Sequence, residues 1–181
     1  MSKQCKQYER FPVSECEIKD FHQKCKNARL SITRQRCLVW SVLASLRCHP
    51  TADMVYALAK ERLASLSRMS VFRILDTLSV CKIIRRIEHP LSSARYDADA
   101  SNHCHIICKH CGETVDWPNH ASLNVVMPTK ENCGFEIEDY SVSFYGLCQV
   151  CQNERMVKAE KGQKTRRMRA HTPAKVLRGT P

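Results

Sequence analysis

Apolar positions recur at three- and four-residue steps through the first half of the chain and switch to alternation in the second. Ile18, Phe21, Cys25 and Ala28 share one face of a helix over Glu17 to Arg29. Thr33 offers an N-cap for a second helix, whose apolar positions Cys37, Val39, Trp40, Val42, Leu43 and Leu46 predict deep burial. Pro50 closes that segment, and Thr51 can cap a third helix with Ala52, Val55, Tyr56 and Leu58 inward. A break at Ser65-Leu66-Ser67 precedes a fourth helix over Met69 to Val80, with its start marked by Ser67 and Ser70. Val71, Ile74, Leu75 and Leu78 form its core face. Two extended runs follow, Ile83 to Glu88 and Ala94 to Asp97, joined by the turn-rich His89-Pro90-Leu91-Ser92-Ser93. Helices followed by a β-hairpin are the order of a winged helix-turn-helix.

The second half reads differently. His105-Ile106-Ile107 predicts a short strand, Cys108 to Gly112 a tight turn, and Glu113 to Trp117 the returning strand. Ala121 to Met127 predicts a short helix stopped by Pro128. Phe135 to Glu138 and Ser141 to Tyr145 alternate with period two, the signature of a half-buried strand. The expected organisation is a frayed segment 1–16, a winged-helix domain 17–97, a second, smaller domain 98–153 and a basic tail 154–181. The polar run DADASN (97–102) suits a hinge between the two domains. The fold class expected is α+β: an N-terminal winged helix-turn-helix plus a small C-terminal α/β domain.

Charge and cysteine content narrow the function. The chain of 181 residues carries a formal net charge of +11. From Asn153 to Pro181 nine Lys/Arg stand against two acids, a net of +7, so the remainder is only mildly basic. This suits a nucleic-acid partner, with the tail as a phosphate-contacting arm or a solvated extension. No apolar run approaches the roughly 20 residues that span a membrane. The polar, acid-bearing start resembles neither an export signal nor a transit peptide, so the cytosol is the expected location. In a reducing compartment, paired cysteines among a total of twelve read as metal ligands or redox groups rather than disulfides.

Cys108-Lys109-His110-Cys111 and Cys148-Gln149-Val150-Cys151 are two CxxC units, each after a predicted strand and separated by 36 residues. Zn²⁺ favours four soft ligands in a tetrahedron, and two such turns supply them. Gly112 and Gly146 are expected to relax the backbone at each turn. A closed four-thiolate site leaves no open position, which argues for a structural ion. The competing reading, a redox CxxC, requires a βαβ setting and a helix start, which neither unit is expected to have.

A second constellation has no sulfur. His103 and His105 share a strand face, Asp116 lies on the returning strand, Asp97 begins the hinge run, and His49, before Pro50 in the first domain, could add a ligand across the hinge. A nitrogen and oxygen set of this kind suits Fe²⁺, Mn²⁺ or Zn²⁺. Cys104, between the two histidines, points to the opposite strand face, where core packing or modulation of the metal are the alternatives.

The segments LSITRQR (30–36), HPTADMVY (49–56), SVFRIL (70–75), RYD (95–97), HCHIICKHCG (103–112) and YGLCQVC (145–151) together resemble the ferric uptake regulator family over roughly residues 17 to 155. The resemblance implies a homodimeric repressor that binds double-stranded operator DNA, with structural Zn²⁺ and a regulatory Fe²⁺ or Mn²⁺. It implies regulatory ligands at His49, Asp97, His103, His105 and Asp116. In the family's peroxide-sensing branch these positions are three histidines and two aspartates, and Asp116 fits that branch. It implies DNA contacts from the fourth helix, here Arg68, Ser70, Phe72 and Arg73. Phe72 replaces a usual tyrosine, so it can touch a thymine methyl but donates no hydroxyl hydrogen bond. Lys82 replaces a usual glycine before the wing, which predicts a positive φ or a different turn. A further metal position of some members maps to Asn102, Cys104 and Tyr140, poor ligands together.

Three rival readings remain: a regulator sensing the level of iron, zinc or manganese, a metal hydrolase using the His/Asp set, and an unregulated zinc module binding nucleic acid. The hydrolase would need an open coordination position and a nearby general base, and no nucleophile set accompanies the histidines. The chain is therefore expected to be no enzyme and to have no membrane partner.

Overall fold

The computed structural model describes residues 10–46, 48–89, 93–117, 126, 128–137 and 140–155. They fall into two compact units divided between Gly146 and Leu147. The expected turn residues 90–92, most of the expected helix 121–127, and the tail beyond 155 lie outside the described residues.

In the first unit, four helices run in order: α1 (Glu15–Asn27), α2 (Arg34–Ser45), α3 (Ala52–Arg62) and α4 (Arg68–Val80). Each starts where a hydroxyl can accept one of the N–H groups that a helix start leaves unpaired. Thr33 accepts from Arg36, Thr51 from Met54 and Ser67 from Ser70. α1 begins two residues earlier than its apolar stripe predicts, because Ser14 and Glu17 form a reciprocal capping box.

The core lies where these helices meet. Val71, Leu75 and Leu78, at positions i, i+4 and i+7 of α4, are fully buried. Phe21 of α1 stacks on Trp40 of α2 with centroids 4.3 Å apart. Ile18, expected to face inward, is instead exposed, while Phe21 and Cys25 carry the buried face of α1.

After α4 the chain turns through Lys82 at φ 53, the positive value that the missing glycine predicted. The turn delivers β1 (Arg85–Ile87) antiparallel to β2 (Arg95–Asp97), with Arg86 opposite Tyr96. This hairpin is the wing.

The remaining strands form a three-stranded sheet in the order β4-β3-β5. β3 (Cys104–Cys108) is central, with β4 (Thr114–Trp117) antiparallel on one side and β5 (Val142–Gly146) parallel on the other. Phe135 to Ile137 are irregular and exposed instead of forming the predicted strand. Among the described residues they pair with no strand. A single helical turn, α5 (Lys130–Cys133), precedes them.

One sheet face carries Ile106, Val115 and Phe144, which sit opposite one another in register. They are 41%, 48% and 38% exposed, and Trp117 meets Phe144 edge to face at 5.1 Å. Cys104 shares this face by alternation and is buried. Among the described residues, no helix is long and apolar enough to cross a membrane.

In the second unit, residues 149–155 are helical, and the Gln152 N–H donates to the Cys148 carbonyl at 2.9 Å.

Candidate metal centres and the exposed helix α4

Backbone pairing brings the hinge residues together. Thr51 bridges Arg95, the Tyr96 N–H donates to the Pro50 carbonyl at 3.0 Å, and the buried Arg95 guanidinium donates to the His49 carbonyl at 2.7 Å. His49 is thereby held beside β2, whose last residue is Asp97. In the other sheet the β3–β4 register sets His105 opposite Asp116, and His103 lies two residues before His105 on the same face.

The outcome is one cluster. A ligand atom from each of His49, Asp97, His103, His105 and Asp116 lies within 4.8 Å of every other. Asp97 Oδ2 is 2.9 Å from His103 Nε2, 3.3 Å from His49 Nε2 and 3.7 Å from His105 Nε2. Asp116 Oδ1 is 2.9, 3.2 and 3.7 Å from the Nε2 atoms of His49, His103 and His105. The His49 side chain is 5% exposed and that of Asp116 58%, so the cluster is buried on one side and open on the other.

Two imidazoles are oriented from behind. His49 Nδ1 lies 3.0 Å from the Thr114 carbonyl, and His103 Nδ1 lies 3.0 Å from the Ser101 carbonyl. A carbonyl only accepts, so each Nδ1 carries the proton and, in the neutral ring, each Nε2 presents a lone pair. The three Nε2 atoms and Asp97 Oδ2 are buried with no hydrogen-bond partner. Five lone-pair donors aimed at one point, two of them anionic, repel one another unless a cation or protons join them. The set therefore fits a divalent ion with nitrogen and oxygen ligands.

Protons are the alternative to metal. Burial disfavours the charged His49 ring, but the Asp97 and Asp116 carboxylates and the Thr114 carbonyl outweigh it and raise its pKa. Burial also opposes ionisation of Asp97. The His105 and His49 rings and the Asp99 N–H outweigh that and hold it below the usual carboxylate range.

The first CxxC unit lies in the first structural unit. Cys108 ends β3, and its N–H and carbonyl bond Glu113 O at 2.8 Å and Gly112 N at 2.9 Å. Gly112 adopts φ 74, the left-handed conformation expected there. Gly146 has no such role: it is a strand residue without positive φ, and a Cβ on it meets open space. Cys148 and Cys151 belong to the second unit. Contrary to expectation, this CxxC does open a helix, over 149–155; the sequence shows no cap residue there to announce it.

α4 exposes Arg68 and Arg73, while Ser70 and Phe72 are half-buried. Ser70 is engaged in the cap, its hydroxyl 2.8 Å from that of Ser67. Arg68 lies over the Phe72 ring at 5.4 Å and donates from Nη2 to Asp53 Oδ2 at 2.8 Å. Asp53 was not foreseen as its partner, nor was Arg95 as the residue that holds the His49 backbone. The Thr114 and Ser101 carbonyls were missed because a backbone acceptor leaves no mark on residue identity. At the predicted poor site, Asn102 Oδ1 accepts from Arg85 at 2.6 Å.

A helical head with a hairpin wing, joined to a sheet whose converging histidines and aspartates could hold a cation, is the arrangement of a metal-dependent DNA-binding regulator. The sequence profile of the ferric uptake regulator family matches residues 27–145, and the chain belongs to that family. Its members are transcription regulators, not enzymes. The chain is 28% identical over 141 residues to a peroxide-responsive repressor of Staphylococcus aureus, covering 77% of this chain and 95% of that protein. The corresponding Staphylococcus epidermidis repressor is 28% identical over 138 residues, covering 76% and 92%. Among solved structures, the Helicobacter pylori ferric uptake regulator, described as having three functional metal binding sites, superposes with a TM-score of 0.59. It is 24% identical and covers 79% of this chain and 96% of that one. The Pseudomonas aeruginosa ferric uptake regulator with manganese gives 0.56 at 22% identity, covering 71% and 97%.

Proposed function

We propose that this chain is a dimeric, metal-dependent repressor whose His49, Asp97, His103, His105 and Asp116 hold Fe²⁺ or Mn²⁺, and that its Fe²⁺ form senses peroxide. The observation that carries this is the convergence of those five groups within 4.8 Å. An aspartate at 116 and the likeness to peroxide-responsive repressors favour peroxide over metal level as the signal. When bound, ferrous iron supplies the one-electron chemistry that turns peroxide against a neighbouring imidazole. His49 and His103 are the rings fixed by carbonyls at Nδ1. An oxygen atom gained by either ring removes a nitrogen donor and loosens the tie between the wing, through Asp97, and the sheet.

Zn²⁺ on Cys108, Cys111, Cys148 and Cys151 is the structural part of this reading. It is supported by the β3–β5 register, in which Gly146 pairs with Cys108 and accepts from the Lys109 N–H at 2.8 Å. Only Leu147 separates Gly146 from Cys148 in the sequence. The exposed row Val115-Ile106-Phe144 is assigned to a second copy of this chain. α4 is assigned to operator DNA through Arg68, Ser70, Phe72 and Arg73, with the arginines positioned for phosphate or guanine.

The test is operator binding by the anaerobically prepared full chain with Fe²⁺ or with Mn²⁺, before and after low peroxide. The expected result is release of DNA by the Fe²⁺ form alone, with one oxygen added to the peptide bearing His49 or His103. Fe²⁺-dependent binding that survives peroxide would replace peroxide sensing by metal-level sensing.

A further inference from the structure

A cavity of about 470 Å³ opens onto three of the five converging groups, His49, Asp97 and Asp116. Beyond them it is walled by Glu17, Asp20 and Lys24 of α1, by Asp99 of the hinge and by Trp40 of α2. Five carboxylates thus face one ammonium, on a chain with a formal net charge of +11. The local field has the sign opposite to that of the molecule. A second observation points to a cation: His49, 5% exposed, lines the same cavity with its Nε2 buried and without a hydrogen-bond partner.

We infer that this cavity is the entry path for the divalent cation, with Asp20 and Asp99 as steering residues and Lys24 as a brake. The inference rests on the reading that the five-group cluster holds such an ion. Carboxylates lining a cleft with apolar walls focus field lines and raise the local concentration of a cation, and the effect scales with the ion's double charge. Lys24 sits 2.8 Å from Asp20 and offsets it. Both side chains are about half exposed, so their action is through space, on the rate of arrival, and salt weakens it. Asp99 also accepts the Ser101 N–H at 2.8 Å, a bond that asparagine keeps. Glu17 is unsuitable as a probe because its carboxylate holds the Ser14 N–H of the α1 cap.

The experiment is stopped-flow loading of the full zinc-containing chain with Mn²⁺, followed by tryptophan quenching. The chain has two tryptophans; Trp40 lines the cavity and Trp117 follows Asp116. At low ionic strength the D20N/D99N double variant should load about three- to tenfold more slowly than the wild type. K24Q should load faster, and E61Q, an exposed carboxylate outside the cavity, should load at the wild-type rate. The differences should close in high salt. Wild-type rates in both the double variant and K24Q would overturn the inference. So would a deficit in the double variant that persists in high salt, because that would mark a lost ligand instead of a lost field. If the wild type itself shows no Mn²⁺-dependent quenching, the metal reading fails and the entry path falls with it.

Discussion

Replacing Asp97 with asparagine separates charge from shape at the centre of the cluster. Asp97 Oδ2 is the oxygen nearest to His103 Nε2, at 2.9 Å, and also faces His49 and His105. Its Oδ1 accepts the Asp99 N–H at 2.9 Å, which asparagine preserves, so the hinge turn should survive. What disappears is one of two anionic ligands. Loss of an outer-shell partner already costs a metal site about 10–100-fold in affinity, so loss of an inner carboxylate should cost about 100-fold or more. Linkage converts this into a melting shift. Mn²⁺ at about 100 times the wild-type Kd stabilises the wild type by about 2.7 kcal/mol, whereas a variant bound 100-fold more weakly gains about 0.4 kcal/mol. At about 2–4 °C per kcal/mol for a chain of this size, the wild type should gain about 5–11 °C and D97N about 1–2 °C. Thermal unfolding of zinc-containing protein with and without Mn²⁺ reads this directly. A D97N variant that keeps the full Mn²⁺-dependent gain would refute the assignment of Asp97 as a ligand.

Three other outcomes follow from the same geometry. Ile106→Asp places a charge in the exposed Val115-Ile106-Phe144 row and should convert a dimer to a monomer in sedimentation while leaving circular dichroism unchanged; a dimer that persists would remove this face as the interface. Lys82→Gly relieves a side chain at φ 53 and should raise the unfolding free energy in urea by up to about 1 kcal/mol, whereas Lys82→Ala should give no gain. The raised His49 pKa means that the metal-free protein still carries that proton at and somewhat above the ordinary histidine range. Mn²⁺ must displace it, so affinity should rise with pH through neutrality and level off once His49 is deprotonated, with proton release measurable by calorimetry in buffers of different ionisation enthalpy.

The fold of the helical head was largely legible in the sequence. Thr33, Thr51 and Ser67 mark real helix starts because a cap is a local device: the hydroxyl and the N–H it serves are three residues apart. The stripe Val71, Leu75 and Leu78 reads correctly because helical periodicity is fixed by backbone geometry. Alternation was a poorer guide. It located Val142 to Gly146 but also suggested a strand at Phe135 to Glu138, since a strand requires a partner edge that its own residues do not specify.

The candidate site divides along the same line. The sequence by itself determined the donor types, the shared face of His103 and His105 and the pairing of cysteines in two CxxC units, because these depend on residue chemistry and short spacing. The residues also offered His49 as a ligand across the hinge, and the resemblance to a known family joined it to a set beginning 48 residues later. Only the tertiary structure decided that His49 Nε2 meets Asp97 and Asp116 within 3.3 Å, that carbonyls of Thr114 and Ser101 set two imidazole rings, and that α1 lends carboxylates to the approach. Apart from the Ser101–His103 bond, which spans two residues, these are contacts across the chain made by backbone pairing and side-chain burial. Their partners are chosen by packing, which no local stretch of sequence encodes.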